Sequence, residues 1–393
     1  MSTQSATQSS QPVASPAAPK RGKRSSRAGG RIGLFRPVRV GQVALWELAI
    51  VAVAATVLPW RAVSIVVAGL AVVAIGVTSV RWSGLCAYQW IGVHLRFRRG
   101  PGTVKGNDPL GILVPGLRFR RQIDRAGNRA GIAELDDSMI AVVRLTPSAN
   151  PDSAALLTVL AETFNRTDIR LAAAQLVVWS VPSPPRAHYY GDRRDTEPIR
   201  VHWLALRYRP ADAPAATVAR GGGETGAARA TATAALTMVG RLAHAGYGGV
   251  VLDESELRQE LLVALGSDHA ALGGNLGVTV KETWHDWSIG TLRQITYLPT
   301  STADGRAVLG RFLPQAAFTC TSYSLRRTAH GRQFGQAMVR IGMHPTTRVP
   351  EVRQISKALG VSLLMRNGRH GESIVDNLPL AFSCRQTAPR TAA

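Results

Sequence analysis

The fold is decided by residues 40–80, which read VGQVALWELAIVAVAATVLPW from Val40 to Trp60 and RAVSIVVAGLAVVAIGVTSV from Arg61 to Val80. From Ala62 to Val80 there is neither a charge nor a proline. A helix rising 1.5 Å per residue needs about 20 apolar residues to cross a hydrocarbon layer of ~30 Å, and this run has that length. The run from Val40 to Trp60 is similar in length but carries Gln42 and Glu47, and Pro59-Trp60-Arg61 supplies a turn between the two. In lipid each span must satisfy its own backbone hydrogen bonds, so both runs read as helices and the pair as a transmembrane hairpin.

The flanks orient it. Lys20, Arg21, Lys23, Arg24, Arg27, Arg31, Arg36 and Arg39 precede the hairpin with no acidic residue ahead of Glu47. Arg81, Arg96, Arg98, Arg99 and Lys105 follow it before the first acid, Asp108, whereas the connecting turn has only Arg61. The positive-inside rule therefore places both ends in the cytoplasm. Glu47 stands about two turns inside the first span, where a carboxylate is costly. It reads as an interfacial group reaching for headgroups or for Arg39 or Arg81, as an intramembrane contact with another subunit's span, or as part of a proton pathway.

The expected class is thus an α+β membrane protein: an N-terminal two-helix transmembrane hairpin followed by a mixed α/β cytosolic domain. Residues 1–31, rich in Ser, Thr, Gln, Ala and Pro and then basic, have little apolar bulk to bury and read as a disordered tail, too long and lacking a cleavage site for a signal peptide. The hairpin occupies 32–81, with spans at about 40–60 and 62–80; the cytosolic domain runs over 82–384, with a hinge expected near 209–222; residues 385–393 form a second tail.

The 393 residues carry 47 Lys and Arg against 25 Asp and Glu, a formal net charge of +22. A basic surface beside a membrane span fits anionic headgroups at about 1 kcal/mol per residue, and Arg81, Arg96, Arg98 and Arg99 are the expected lipid or interface contacts. Nucleic acid is not expected as a partner, because no zinc-finger spacing, RNP-type or helix-turn-helix signature is present. Cys86, Cys320 and Cys384 are far apart and form neither a metal-ligand spacing nor a disulfide framework, which suits a reducing compartment.

After the spans, Trp82, Leu85, Tyr88, Ile91 and Leu95 recur near helical spacing, with Trp82, Tyr88 and Trp90 suited to the headgroup level. This helix continues into the cytosol or lies along the membrane surface. Strands are expected over Gly111–Phe119, Ser138–Leu145, Leu171–Ser180, Val201–Tyr208, Val278–Val280, Arg293–Leu298, Ala316–Leu325 and Gln336–Ile341. Helices are expected over Ser153–Phe164, Glu224–Ala245, Glu254–Leu265 and Glu351–Leu359. Asp152 or Ser153 caps the first, and Gly246 and Gly360 stand where C-terminal glycines belong. In the run from Val201, His202, Leu204, Leu206 and Tyr208 alternate with Val201, Trp203 and Ala205, so the two sets face opposite sides of a sheet. The order predicts a mixed sheet with helices on its faces.

Three patterns carry chemical interest. Arg220-Gly221-Gly222-Gly223-Glu224-Thr225-Gly226 precedes a long helix and reads as a flexible lead-in or an anion cradle; no Lys-Ser/Thr follows, so it is not a P-loop. Trp284-His285-Asp286-Trp287 offers a His/Asp pair without a nucleophile, or structural aromatics with exposed polar neighbours. Asp136-Asp137 reads as a loop or as a carboxylate pair for metal and sugar nucleotide. Nine scattered histidines make no ligand pair. No catalytic, cofactor-binding or metal-binding constellation is expected, and no enzyme.

The basic N-terminus, the two closely joined spans and the large domain after them resemble the EccE family of the type VII (ESX) secretion machinery of mycobacteria and related actinobacteria. Local similarities are Trp203-Leu204-Ala205-Leu206-Arg207 through Pro210, Ala219-Arg220-Gly221-Gly222-Gly223 before the Ala-rich helix, Trp284 to Gly290, and Val339-Arg340 through Asn377-Leu378-Pro379-Leu380. The resemblance implies a structural subunit bracing the periphery of an inner-membrane secretion complex that exports WXG100 and PE/PPE-type proteins. Its partners would be EccB, EccC, which would hydrolyse ATP, EccD and a mycosin. The alternatives are a membrane-tethered glycosyltransferase-like enzyme and a membrane-anchored anion- or nucleic-acid-binding domain.

Overall fold

A computed structural model describes residues 81–82, 85–98, 102–124, 126–147, 151–166, 168–183, 197–267, 277–327 and 332–382, with Glu47 and Gly69 as single residues. The chain divides into two units, Met1–Thr78 and Ser79–Ala393, and every element below belongs to the second. The expected spans, with ends at Val40, Trp60, Ala62 and Val80, and both expected tails lie outside the described residues; of the spans only Glu47 and Gly69 are described, both helical and exposed. Among the described residues no helix is long and apolar enough to cross a membrane.

The second unit opens with a minimal hairpin, β1 (Arg81–Trp82) against β2 (Leu85–Cys86), which runs directly into helix α1 (Ala87–Arg98). Then come β3 (Thr103–Gly106), the short helix α2 (Pro109–Leu113), and the meander β4 (Arg118–Ile123), β5 (Arg129–Leu135) and β6 (Ser138–Leu145). Helix α3 (Ser153–Phe164) leads to β7 (Ala173–Val181) and β8 (Ile199–Tyr208). Next are α4 (Pro214–Val218), the long α5 (Gly223–His244), β9 (Gly249–Val251) and α6 (Glu254–Leu265). Strands β10 (Val278–Glu282), β11 (Trp287–Ile289) and β12 (Leu292–Pro299) precede α7 (Thr302–Ala307), β13 (Phe318–Arg327) and β14 (Gln333–Met343). Helix α8 (Val352–Leu359), β15 (Leu363–Met365) and α9 (His370–Asn377) complete the set.

Thirteen strands make one sheet, in the order β3-β10-β11-β12-β14-β13-β7-β8-β6-β5-β4, with β15 added on β12 and β9 on β6. Every ladder among the described residues is antiparallel. The expected mixed sheet is thus corrected to an antiparallel one within an α/β domain. The reason lies in β6–α3–β7. Both strands run antiparallel to β8, so they are parallel to each other, but β8 is inserted between them. The helix does make a crossover of the βαβ kind; the strand that follows fills the gap.

The expected strand Gly111–Phe119 is also corrected. Asp108-Pro109 starts a helix, with Pro109 at its first position, and Pro115-Gly116, Gly116 at φ 84°, reverses the chain before β4 begins at Arg118.

Both faces of the central strands are covered, so these strands are apolar on both sides rather than on one. On one face Leu204, Leu206 and Tyr208 of β8 pack with Leu176 and Val178 of β7 under Leu156, Leu160 and Phe164 of α3 and the alanines of α5. On the other, Trp203 and Ala205 join Ile140, Val142 and Val177 beneath Leu257, Leu261 and Leu265 of α6 and Ile374 and Val375 of α9. The alternation seen in the run from Val201 is therefore the division between two cores. A third cluster, with Ile295, Tyr297, Val339 and Ile341 at its base, lies under Ile355 and Leu359 of α8.

Local chemistry sets the helix ends. The Asp152 carboxylate accepts from the Ala154 N–H, and Asp253 with Glu256 forms a capping box at α6. Gly360 closes α8 in the left-handed conformation, φ 66°. Residues 209–222, where a hinge was expected, hold a 3₁₀ turn (Pro210–Asp212) and α4; the Tyr208 hydroxyl ties them down at 2.6 Å from the Ala213 carbonyl oxygen and 2.7 Å from Thr217 Oγ1.

Candidate functional site

The richest constellation is the corner built on the β10–β11 turn. The Thr283 N–H donates to the Asp286 carbonyl at 2.7 Å and the Thr283 hydroxyl to Asp286 Oδ1 at 2.7 Å. Arg293 of β12 donates to Asp286 Oδ2 through Nε at 2.9 Å and Nη2 at 2.5 Å. Burial pushes the Asp286 carboxyl up, and that is the largest single effect, but the Thr283 and Arg293 hydrogen bonds outweigh it and hold the group below its usual value. With Asp286 engaged on both oxygens and His285 exposed, the two do not form a proton-transfer pair.

This tight turn gives its two tryptophans different partners. Trp287 is buried in the core. Trp284 meets α1, with Trp90, His94 and Phe97 at centroid distances of 5.6, 5.5 and 5.8 Å, the last two edge-on. Trp90, expected at the headgroup level, is thus turned onto the domain. Beside this contact lies a cleft of about 390 Å³ lined by Val93, Phe97, Val104, Ile112, Trp287 and Val375, with Glu282 and Glu372 among its walls. Glu282 accepts the Gly371 N–H at 3.0 Å, and Glu372 pairs with Arg369 at 2.8 Å.

Behind the corner, His370 of α9 has no solvent exposure, and its Nδ1 sits 3.0 Å from Thr296 Oγ1 and accepts from the Thr296 N–H at 3.3 Å. Burial drives its pKa down to about 4. The imidazole is therefore neutral, with its proton on Nε2.

The glycine run reverses the chain between α4 and α5. Gly221, Gly222 and Gly223 take φ values of 105°, 72° and 58°, which side chains rarely adopt. The Gly222 N–H donates to the Thr217 carbonyl at 3.0 Å, and Arg229 returns from the helix to the Arg220 carbonyl at 3.1 Å. Glu224, in the first turn of α5, places a carboxylate at the helix's positive end and pairs with Arg120 of β4 at 2.8 Å.

Asp136-Asp137 is the two-residue turn of the β5–β6 hairpin, bracketed by the pair Leu135 and Ser138. Asp136 sits at φ 54°, a conformation that short polar residues tolerate, and Asp137 lies 3.3 Å from Arg209 Nε. Turn chemistry accounts for both carboxylates. Among the described residues no group of three or more His, Cys, Asp or Glu could hold a metal ion.

Sequence reasoning missed the buried polar framework that pins α9 to the sheet. Arg340, without solvent exposure, donates through Nε to Asn377 Oδ1 at 3.0 Å, through Nη1 to Gln294 Oε1 at 2.9 Å, and through Nη2 to the Ala264 carbonyl. Asn377 donates onward to Ser322 Oγ at 2.9 Å, while Gln175 bonds the Asp376 carbonyl at 2.9 Å and the Ala381 N–H at 2.8 Å. Nearby, Arg207 lies over the Phe382 ring, 4.7 Å from its centroid, and Arg326 donates to the Phe382 carbonyl at 2.7 Å. The only signal in the sequence was an arginine in the middle of an apolar strand, Val339-Arg340-Ile341.

Of the residues expected at the membrane, Arg81 lies in β1, Arg96 on α1, and Arg98 is the exposed last residue of α1; Arg99 lies outside the described residues. Glu47 is helical and exposed in the isolated chain.

Fold and site together define an α/β domain dominated by one antiparallel sheet, with helices on both faces and its polar interior spent on structure. Residues 198–298, from β8 to β12, match the model of a family described as "Putative type VII ESX secretion system translocon, EccE". That segment contains three of the four stretches that carried the resemblance in the sequence, Trp203 to Pro210, Ala219 to Gly223 and Trp284 to Gly290, and it ties this part of the chain to type VII secretion, a membrane-associated process. No curated protein matches the chain.

Proposed function

We propose that this protein is a structural subunit of an inner-membrane type VII (ESX) secretion complex, bracing its periphery for export of WXG100 and PE/PPE-type proteins. The observation that carries the reading is the EccE match over residues 198–298. The chain is anchored by the hairpin of residues 32–81, spans at about 40–60 and 62–80, with both termini cytoplasmic; the sheet domain follows over 82–384 between two terminal tails. Its partners are EccB, EccC, EccD and a mycosin, with anionic lipid beneath Arg81, Arg96, Arg98 and Arg99. Glu47 makes an intramembrane contact. The reading gives the chain no catalytic role, and it is supported by the engagement of Asp286 and His370 with Arg293, Thr283 and Thr296 and by the turn at Asp136-Asp137.

The test is export. Cells lacking the protein fail to secrete small helical substrates, and the full-length chain restores secretion. The double variant Asp136→Asn/Asp137→Asn restores it equally. Loss of export in that variant, with the complex still assembled, assigns the carboxylates an enzymatic role and overturns the structural one.

A further inference from the structure

We propose that the outward face of α1 lies in the headgroup layer of an anionic bilayer, anchored by Ile91 and Leu95. The inference rests on the reading that residues 62–80 cross the membrane.

Helix α1 has two apolar faces and only one of them is covered by the domain. Trp90, His94 and Phe97 point at Trp284, and Val93 lines the adjoining cleft. Ile91 and Leu95, one turn apart, point away, 49% and 47% exposed. The other large exposed apolar residues of the described chain, such as Val218 and Leu236, stand singly on separate elements. A helix whose second apolar ridge is left uncovered among the described residues is built for another surface.

Two features say which surface. The first is position. Arg81 is paired with Cys86 across the β1–β2 hairpin, and α1 starts at the next residue, Ala87. Paired residues of an antiparallel ladder lie about 5 Å apart, so the start of α1 lies beside Arg81, the residue that follows the apolar run Ala62–Val80 in the sequence. The six residues Arg81–Cys86 therefore do not spend their extended reach, about 20 Å, on carrying α1 away from the bilayer. The second is charge. Between Val80 and Asp108 the chain carries Arg81, Arg96, Arg98, Arg99 and Lys105 and no acid. An aliphatic ridge in a stretch of sequence whose charges are all basic is the composition of an interfacial helix on anionic lipid.

The full-length chain is reconstituted in phosphatidylcholine vesicles with and without phosphatidylglycerol, in a Cys86→Ser/Cys384→Ser background that leaves the buried Cys320 in place. An environment-sensitive dye is attached at Ile91→Cys, at Leu95→Cys and, as a water-facing reference, at Val218→Cys, where the native residue is 71% exposed. The expected result is blue-shifted emission at 91 and 95, lost to a lipid-borne quencher and more strongly so with phosphatidylglycerol, with neither change at 218. If 91 and 95 behave like 218 while the chain resists alkaline carbonate extraction, the span reading stands and the interfacial helix is wrong, leaving that face to a protein neighbour. If carbonate strips the chain from the vesicles, the span reading fails and the inference falls with it.

Discussion

The Arg340 guanidinium meets the Asn377 side-chain oxygen at 3.0 Å with neither residue touching solvent, and this bond fastens α9 to the middle of the sheet. Among the described residues Arg340 makes no ion pair; its charge rests on three oxygens and on the Phe318 ring, 5.3 Å away. Burial pushes the guanidinium below its ordinary pKa. Three diverging donors need a planar fork, which lysine lacks. Arg340→Lys is therefore expected to destabilise the protein almost as much as Arg340→Met, by about 3 kcal/mol or more, because Asn377 and Gln294 are left unpaired in the interior. Denaturant midpoints of the two variants in detergent check this; a lysine variant within error of the parent would contradict it.

The contact of Trp284 with Trp90 makes α1 a separately removable part. Trp284→Ala deletes three ring contacts but touches neither main core. The loss is about 2 kcal/mol, confined to the docking of α1. Hydrogen exchange should rise over residues 87–98 while the amides of β7 and β8 remain as protected as in the parent.

Two glycines on α5 respond to alanine in opposite directions. A Cβ at Gly226 would stand 2.3 Å from the Thr217 carbonyl oxygen, so Gly226→Ala must push α4 away from α5. Gly240 is exposed, and a Cβ there meets nothing within 4 Å. Gly240→Ala should stabilise by up to about 1 kcal/mol through helix propensity alone, whereas Gly226→Ala lowers the melting temperature. Thermal unfolding of both variants decides the signs.

Acid should loosen the domain through two histidines. Burial depresses both His202 and His370 to about 4 in the folded chain, against 6.5 when unfolded. Between these values the unfolded chain binds protons that the folded chain refuses, so stability is complete above pH 6.5 and is lost progressively down to about pH 4. The full loss is about 3 kcal/mol per histidine. His370→Gln should flatten the slope of stability against pH between 6.5 and 4, and an unchanged slope would contradict the assignment.

The elements most legible in the sequence were those whose signals were local. Ser153–Phe164 and Glu254–Leu265 have acidic caps and regular apolar spacing, and their bounds as read match α3 and α6. Strand β6 is similarly legible from its apolar run Met139–Val143. Strand β5 was invisible: Arg129-Ala130-Gly131-Ile132-Ala133-Glu134-Leu135 has little β-branched character, and it is a strand because it lies between β4 and β6. Gly131 is needed there, since a Cβ would collide with the Asp253 backbone at 2.4 Å, a contact from 122 positions away in the chain. Helix α9 was missed for the reverse reason. His370-Gly371-Glu372-Ser373 looks like a polar loop, yet His370 and Ser373 have no exposure, His370 meeting Thr296 through Nδ1 and the Ser373 hydroxyl donating to the Arg369 carbonyl. Pairing direction was also illegible, because alternation fixes which face a residue takes and says nothing of which strand lies beside it. In the site, Trp284 and Asp286 stood out in the sequence, but their partners, Trp90 and Arg293, could be assigned only in three dimensions.

The account's central claim is tested most directly by mild detergent extraction of the tagged full-length chain, followed by identification of whatever co-purifies by mass. The result expected is one large assembly containing EccB, EccC and EccD. Recovery of the chain alone, from membranes in which those three remain assembled with one another, would contradict the claim.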